Sequence, residues 1–159
     1  MIRPTTIDDF ATLAEIARGT GVFKPLELIA LNEVLRDYDR EEKHQGHRAI
    51  TYEVDGKPIG FAYYAPTPMT DRTWHLYWIF VDAVTQAKGI GGKLLKYTEQ
   101  HIAESGGRIL IVETSSLPNY QLTRKFYIKH QYEQVAVVPD FYADGDDMTV
   151  FRKRLAVER

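Results

Sequence analysis

The chain has 159 residues, enough for one domain of ordinary size with a real core, and residues 1–159 are expected to form a single domain. Hydrophobic residues make up 44% and aromatics 12%, which argues against a disordered chain, and a formal net charge of −2 leaves no basic excess to drive nucleic-acid binding. There are no cysteines, which excludes disulfides, thiolate metal sites and any acyl transfer through a cysteinyl thioester.

Ile2 to Thr6 reads as a short strand, with Pro4 suited to a strand start or an edge. Asp8 or Asp9 caps a helix in which Phe10, Leu13, Ile16 and Ala17 share one face, and Gly19 and Gly21 end it. A second helix is predicted over Lys24 to Glu42, with Leu28, Leu31, Leu35 and Tyr38 recurring at helical spacing and Pro25 near the start, where its missing N–H costs little. Arg48 to Val54 and Ile59 to Ala65 read as strands joined by Asp55-Gly56, a strong hairpin signal. Pro66 to Arg72 is a loop, and Trp74 to Asp82 is expected to be a buried central strand.

Gly89 to Ser105 is helical with a buried stripe of Ile90, Leu94, Leu95, Thr98 and Ile102, closed by Gly106-Gly107. Arg108 to Glu113 is a short apolar strand, and Leu117 to His130 a helix anchored by Leu122 and Phe126. Tyr132 to Val138 and Met148 to Leu155 close the chain as strands around a loop over Pro139 to Asp147. The order βααβββαβαββ contains a strand–helix–strand step and therefore predicts an α/β (α+β) fold with a mixed sheet. Met1 to Phe10 has no apolar leader core and no run reaches membrane-spanning length, so a cytoplasmic protein without membrane association is the default expectation.

The segment from Val81 to Leu94 carries the most chemistry. A buried strand runs into a glycine-rich turn that opens a helix, with Lys88 and Lys93 adding positive charge. The first turn of a helix offers unpaired N–H groups and a partial positive charge, and glycines let an anion approach the backbone, so the segment suits a pyrophosphate. Gly92-Lys93 is followed by Leu94, which breaks the Walker pattern, and the Rossmann fingerprint would need glycine at Leu94.

Gln86-Ala87-Lys88-Gly89-Ile90-Gly91 meets the pattern Gln/Arg-x-x-Gly-x-Gly/Ala in full and follows the fourth predicted strand. In this it resembles the acetyl-CoA signature of the GNAT superfamily of N-acetyltransferases, and the order of elements over the whole chain is similar to that family's. The resemblance implies a mostly antiparallel sheet of about seven strands flanked by about four helices. It implies acetyl-CoA as cosubstrate, held at Gln86, Ala87, Lys88, Gly89, Ile90, Gly91, Gly92 and Lys93, and transfer of its acetyl group to a primary amine. It also implies that backbone groups of Ile79, Phe80 and Val81 pair with the pantetheine arm, beside a bulge that splays two strands, and polarise the thioester carbonyl as an oxyanion hole does.

A second stretch, Arg124 to Tyr132, resembles the family's Phe/Leu-Tyr-x-x-x-Gly-Phe/Tyr. Phe126 takes its core position and Tyr127 that of the tyrosine that protonates the departing thiolate, a task open to a phenol of pKa about 10. Gln131 stands where the family usually has glycine and suggests a different exit from the helix. Asn119, one residue from the family's asparagine position, and Arg124 are further cofactor contacts on this resemblance.

The base has two candidates besides water. His75 begins the central strand with a side chain in the right pKa range, and Glu113 ends the next strand, where a carboxylate could hold a cationic amine. The acidic and aromatic loop with Asp140, Phe141, Tyr142, Asp144, Asp146 and Asp147 reads either as solvated or as a lid drawing in a cation, and it lacks calcium-loop spacing. The dispersed histidines 44, 47, 75, 101 and 130 show no metal-ligand spacing, so no metal is assigned. The rival to an enzyme is a non-catalytic acyl-CoA sensor on the same fold, and retention of Tyr127 favours the enzyme. The acceptor amine and the acyl-chain length are not legible. Relatives often form homodimers, and no residue decides that here.

Overall fold

A computed structural model describes residues 1–84 and 89–155. In chain order its elements are β1 (Ile2–Pro4), α1 (Phe10–Gly19), α2 (Pro25–Arg40), β2 (Arg48–Val54), β3 (Lys57–Pro66), β4 (Thr73–Val81), α3 (Ile90–Glu104), β5 (Ile109–Ser115), α4 (Gln121–Lys129), β6 (Glu133–Ala143) and β7 (Asp146–Arg154). The strands form one mixed, mostly antiparallel seven-stranded sheet in the order β1-β2-β3-β4-β5-β7-β6. Among the described residues, no helix is long and apolar enough to cross a membrane. The chain divides into two compact units, Met1–Pro66 with Trp78–Thr98, and Thr67–Tyr77 with the chain from Glu99 onward.

In the first unit β2 pairs antiparallel with both β1 and β3. The β2–β3 turn has Asp55 at φ 51° and Gly56 at φ 79°, the two left-handed residues that a tight primed hairpin turn demands. Helical spacing in α1 and α2 brings Leu13, Ala17, Leu31, Leu35 and Tyr38 to one side, and they pack with Ala49, Phe61, Tyr63 and Phe80 into the core. The start of α2 is closed by the Lys24 backbone N–H, which donates to the Glu27 carboxylate at 3.0 Å. The start of the chain is tied down by Arg3. Its guanidinium donates to both oxygens of the buried Asp9 at 2.8 Å and to Glu53 at 3.0 Å.

In the second unit β4 pairs in parallel with β5, Thr73 to Leu76 lying beside Ile109 to Val112. β7 then pairs antiparallel with β5 along its whole length and with β6 on its other side. The β4–β5 ladder ends at Leu76 among the described residues, while β4 runs on through Tyr77 to Val81. Along α3 the predicted stripe of Ile90, Leu94, Leu95, Thr98 and Ile102 is buried throughout.

Three expectations need correction. The loop over Pro139 to Asp147 is a hairpin instead. β6 runs to Ala143, β7 starts at Asp146, and the turn between them is a second Asp-Gly pair, Asp144-Gly145. The strand gets past Pro139 because β6 shifts register between Val138 and Ala143, with Asp140 left-handed at φ 55°. The acidic side chains there fasten backbone: Asp140 accepts from the Gly145 N–H at 2.8 Å, Asp147 accepts from the Asp140 N–H at 2.9 Å, and Asp146 is buried against the Ser115 hydroxyl.

Helix α4 is not anchored by Leu122, which is 79% exposed. A short 3₁₀ turn at Pro118–Tyr120 resets the helix phase, so Tyr120 and Tyr127 are the buried residues. β4 is buried on alternate residues rather than throughout at its start: Trp74 and Leu76 face the core, and Tyr77 is 51% exposed.

The Arg3–Asp9 pair generates a pH dependence. Hydrogen bonds and charge from Arg3 hold the Asp9 carboxyl below the ordinary carboxylate range. A carboxyl whose folded value is depressed adds stability above its unfolded value, about 3.9, and that stability is lost as pH falls through the folded value. Denaturant midpoints measured from pH 6 down to pH 2 should therefore fall more steeply in the wild type than in Asp9→Asn, and the variant should be the less stable of the two at pH 6.

Candidate active-site residues

The residues singled out from the sequence fall into two groups, one in each unit. In the first unit they are the end of β4, Ile79, Phe80 and Val81, and the start of α3. Gln86, Ala87 and Lys88 lie outside the described residues. Gly89 has φ 72°, a conformation that glycine alone adopts without strain, and among the described residues a Cβ built on it would meet nothing within 4 Å. The position is bare backbone immediately before the first residue of α3, Ile90. Ile90 is buried, and the Lys93 N–H donates to the Gly89 carbonyl at 3.2 Å, which closes the first turn. Gly91 and Gly92 occupy that turn with partly exposed backbone, and Lys93 is exposed.

Gly60, which the sequence reading did not single out, positions this helix start. A Cβ there would lie 3.0 Å from Leu94 Cδ1, 3.4 Å from Ile90 Cγ2 and 3.5 Å from the Phe80 carbonyl. A side chain there would press the ends of Leu94 and Ile90 aside by a few tenths of an ångström, so glycine suits the close approach of α3 to β3. Phe80 and Val81 are buried while Ile79 is half-buried. The chain beyond β4 is held by the Asp82 N–H, which donates to the Ile59 carbonyl at 2.8 Å.

In the second unit the two candidate bases meet. Parallel pairing sets His75 opposite Ile111 and Leu76 opposite Val112, so alternation puts His75, Tyr77 and Glu113 on one face. His75 Nε2 lies 3.2 Å from Glu113 Oε1, and His75 Nδ1 lies 2.6 Å from the Thr67 hydroxyl. The imidazole stacks on the Tyr77 ring, with centroids 5.5 Å apart and planes 18° apart. The side chains of His75 and Glu113 are 19% and 41% exposed. Burial, and then the charge of Glu113, push the Tyr77 hydroxyl above the ordinary phenol value. His75 and Glu113 are thus hydrogen-bonded partners rather than separate alternatives.

Tyr127 sits on the inner face of α4, 2% exposed, between the rings of Phe126, Tyr132 and Phe151 at centroid distances of 5.4–5.7 Å. Its hydroxyl makes no hydrogen bond to a described residue, and it is not one of the fully buried side-chain polar atoms left without a partner, of which Thr114 Oγ1 is the one found among the described residues. Burial raises its pKa well above the ordinary phenol value, so at neutral pH it remains a proton donor. Arg124, the fourth residue of α4, spends Nη1 on the carbonyls of Ser115 at 2.7 Å and Leu117 at 3.0 Å. It pins the β5–α4 connection. Asn119 lies exposed in the 3₁₀ turn that precedes α4.

The exit from α4 corrects the expectation of a different path. Gln131 takes φ 73°, the left-handed conformation that glycine would adopt, and the chain returns through the Tyr132 N–H, which donates to the Tyr127 carbonyl at 3.0 Å. Tyr132 is then locked by its hydroxyl, which donates to Glu99 at 2.6 Å, and Lys153 donates to the same carboxylate at 3.1 Å. The buried ring of Tyr132 against Tyr127 holds the exit in place despite the strained residue.

The chain as a whole is similar to known proteins of one family. The profile of the acetyltransferase (GNAT) family matches residues 11–131. A crystal structure from Desulfovibrio desulfuricans, described as an acetyltransferase of the GNAT family, is 31% identical, with a TM-score of 0.93 over 98% of this chain and 99% of that one. An uncharacterised N-acetyltransferase of Methanocaldococcus jannaschii is 30% identical over 105 residues, which span 64% of this chain and 63% of that relative. An aminoglycoside 6′-N-acetyltransferase solved with coenzyme A shares the fold, with a TM-score of 0.78 over 100% of this chain and 99% of that one, at 17% identity.

The strained exit yields a stability prediction. A non-glycine residue in the left-handed region carries a cost of about 1 kcal/mol. Relief of that strain alone would raise the melting temperature by about 2–4 °C, and the entropy that glycine adds to the unfolded chain, about 0.4–1 kcal/mol, leaves Gln131→Gly an expected net rise of about 1 °C. A lower melting point in scanning calorimetry would show that the exit carries no such strain.

Proposed function

Because the chain belongs to the GNAT acetyltransferase family, we propose that residues 1–159 form one acetyltransferase domain that moves an acetyl group from acetyl-CoA to a primary amine by direct attack in a ternary complex. The observation that carries this reading is Tyr127, a buried, protonated phenol whose hydroxyl has no partner among the described residues. A structural tyrosine buried to this degree normally spends its hydroxyl on a neighbour. One left unspent is available to a ligand.

Acetyl-CoA fits the start of α3 on an observation independent of the motif. Gly89 presents exposed, bare backbone just where α3 begins, and an exposed lysine stands in the first turn. Such a terminus favours a diphosphate through its N–H groups and partial positive charge. Backbone N–H groups of Ile79, Phe80 and Val81 are assigned to the pantetheine arm and the thioester oxygen.

The proton inventory then balances. The ammonium of the acceptor gives one proton to the Glu113 carboxylate, which is more exposed than its partner His75. The freed lone pair forms a C–N bond at the thioester carbonyl carbon. The C–S bond breaks, its electron pair leaves on sulfur, and the sulfur takes the Tyr127 proton. The nitrogen sheds its second proton to water, and Tyr127 recovers its own from solvent. Burial that raises the phenol also raises the basicity of a thiolate formed beside it, so the two groups shift in the same sense.

Two measurements test this reading. A ligand that binds only the folded state at a hundred times its Kd stabilises by about 2.7 kcal/mol. Acetyl-CoA should therefore raise the melting temperature of the wild type, and Gly91→Glu should fold but fail to respond. With a panel of primary amines and free-thiol release as readout, Tyr127→Phe should lower kcat about a hundredfold and leave acetyl-CoA binding unchanged. A wild type indifferent to millimolar acetyl-CoA, or a fully active Tyr127→Phe, counts against the proposal.

A further inference from the structure

The loop before β4 holds a residue that no motif marks. Thr67 is half-buried, and its backbone is fixed at both ends: its N–H donates to the Thr73 carbonyl at 2.7 Å, and its carbonyl accepts the Thr70 hydroxyl at 2.9 Å. Thr70 accepts in turn from the Thr73 N–H at 3.2 Å. Inside this clasp two non-glycine residues, Met69 at φ 64° and Arg72 at φ 59°, are left-handed. Strained residues persist where surrounding bonds over-determine them. Here those bonds fix the backbone of Thr67, whose hydroxyl lies 2.6 Å from His75 Nδ1.

The direction of that hydrogen bond follows from the far side of the ring. An ionised carboxylate only accepts, so the 3.2 Å contact to Glu113 requires a hydrogen on His75 Nε2. A neutral imidazole has one N–H, so Nδ1 is the acceptor and the Thr67 hydroxyl is the donor. Both ring nitrogens are then occupied. The ring has no free lone pair with which to take a proton from an amine, and Glu113 keeps its second oxygen for that purpose.

We propose that Thr67 is a positioning residue. Glu113 selects the Nε2–H tautomer of His75, and the Thr67 hydroxyl, by donating to Nδ1, holds the ring so that Nε2–H orients the Glu113 carboxylate to receive the proton of the acceptor amine. The inference rests on the acetyl-transfer reading for its purpose, but the tautomer itself does not. The relay runs Thr67 O–H to Nδ1, then Nε2–H to Oε1, and no proton needs to move along it. Its effect is to fix the position and hydrogen-bonding of the base while Glu113 alone is protonated and deprotonated in each turnover.

The test uses Thr67→Val, which keeps the shape and removes the hydroxyl, and Thr67→Ser, which keeps the hydroxyl. Long-range ¹⁵N–¹H correlation spectra of the histidine rings read the tautomer of His75 directly, with no ligand needed. The expected result is the Nε2–H tautomer in all three proteins, with the Nδ1 resonance at a hydrogen-bonded position in the wild type and in Thr67→Ser and displaced toward that of a free acceptor nitrogen in Thr67→Val, melting temperatures unchanged. In steady-state assays with acetyl-CoA and the best amine of the panel, Thr67→Val should lose kcat by about tenfold with the KM for acetyl-CoA unchanged, and Thr67→Ser should recover it. An unaltered Nδ1 resonance in Thr67→Val overturns the proposal, as does an altered one with full kcat. A wild type that transfers no acetyl group to any amine overturns the functional reading and the catalytic purpose together, and the spectra then decide the hydrogen-bond assignment alone.

Discussion

A parallel ladder between β4 and β5 sets conditions that the rest of the chain has to meet. Parallel neighbours cannot be joined by a tight turn, so the chain must leave the sheet and return through a crossover. Helix α3 is that crossover. Its first residue, Ile90, comes nine positions after Val81, the last residue of β4. Gly89, just before it, is left-handed, and Gly60 leaves room for the side chains of Ile90 and Leu94 against β3. The features that suit an anion, bare backbone and a helix start, are thus also what the topology needs. The same ladder sets the parity by which His75 and Glu113 share a face, since a slip of one residue would send one of them into the core.

Much of this was legible in advance because it depends on periodicity and on short-range chemistry. The α3 stripe, the core faces of α1 and α2 and the Asp55-Gly56 hairpin follow from spacing and turn residues alone. The second hairpin carried the same Asp-Gly signal at Asp144-Gly145. It was passed over because Pro139 and a run of acids suggested a loop, and a bulge is what lets a strand continue past such residues. The phase of α4 was misjudged for a related reason. One 3₁₀ turn rotates every later side chain, which moves Leu122 out to solvent and Tyr127 into the core.

Of the candidate site, the residue types could be read and their partnerships could not. His75 and Glu113 are separated by 38 positions, and only the register of two strands makes them neighbours. Thr67 had no signal at all, because a threonine in a loop is ordinary and its role comes from a clasp of backbone hydrogen bonds. Arg124 was assigned to a ligand on its position in a family pattern, yet Nη1 holds two backbone carbonyls. Sequence patterns report which chemistry is present. They say little about whether a donor is already engaged within the fold.

The last strand to be added at the sheet's edge has a consequence for the protein as a material. Every residue of β6 is exposed, and Val135-Ala136-Val137-Val138 is an uncharged, β-branched run on an open edge. That composition is what cross-β assemblies stack. It is interrupted by a register shift between Gln134 and Ala136, by Pro139, and by the left-handed Asp140 whose N–H is held by Asp147. Those irregularities bend the edge and leave no long flat template for another copy to extend. Colloidal behaviour at high concentration is therefore governed by a few backbone kinks in one hairpin, while the core that gives the fold its stability has no part in it.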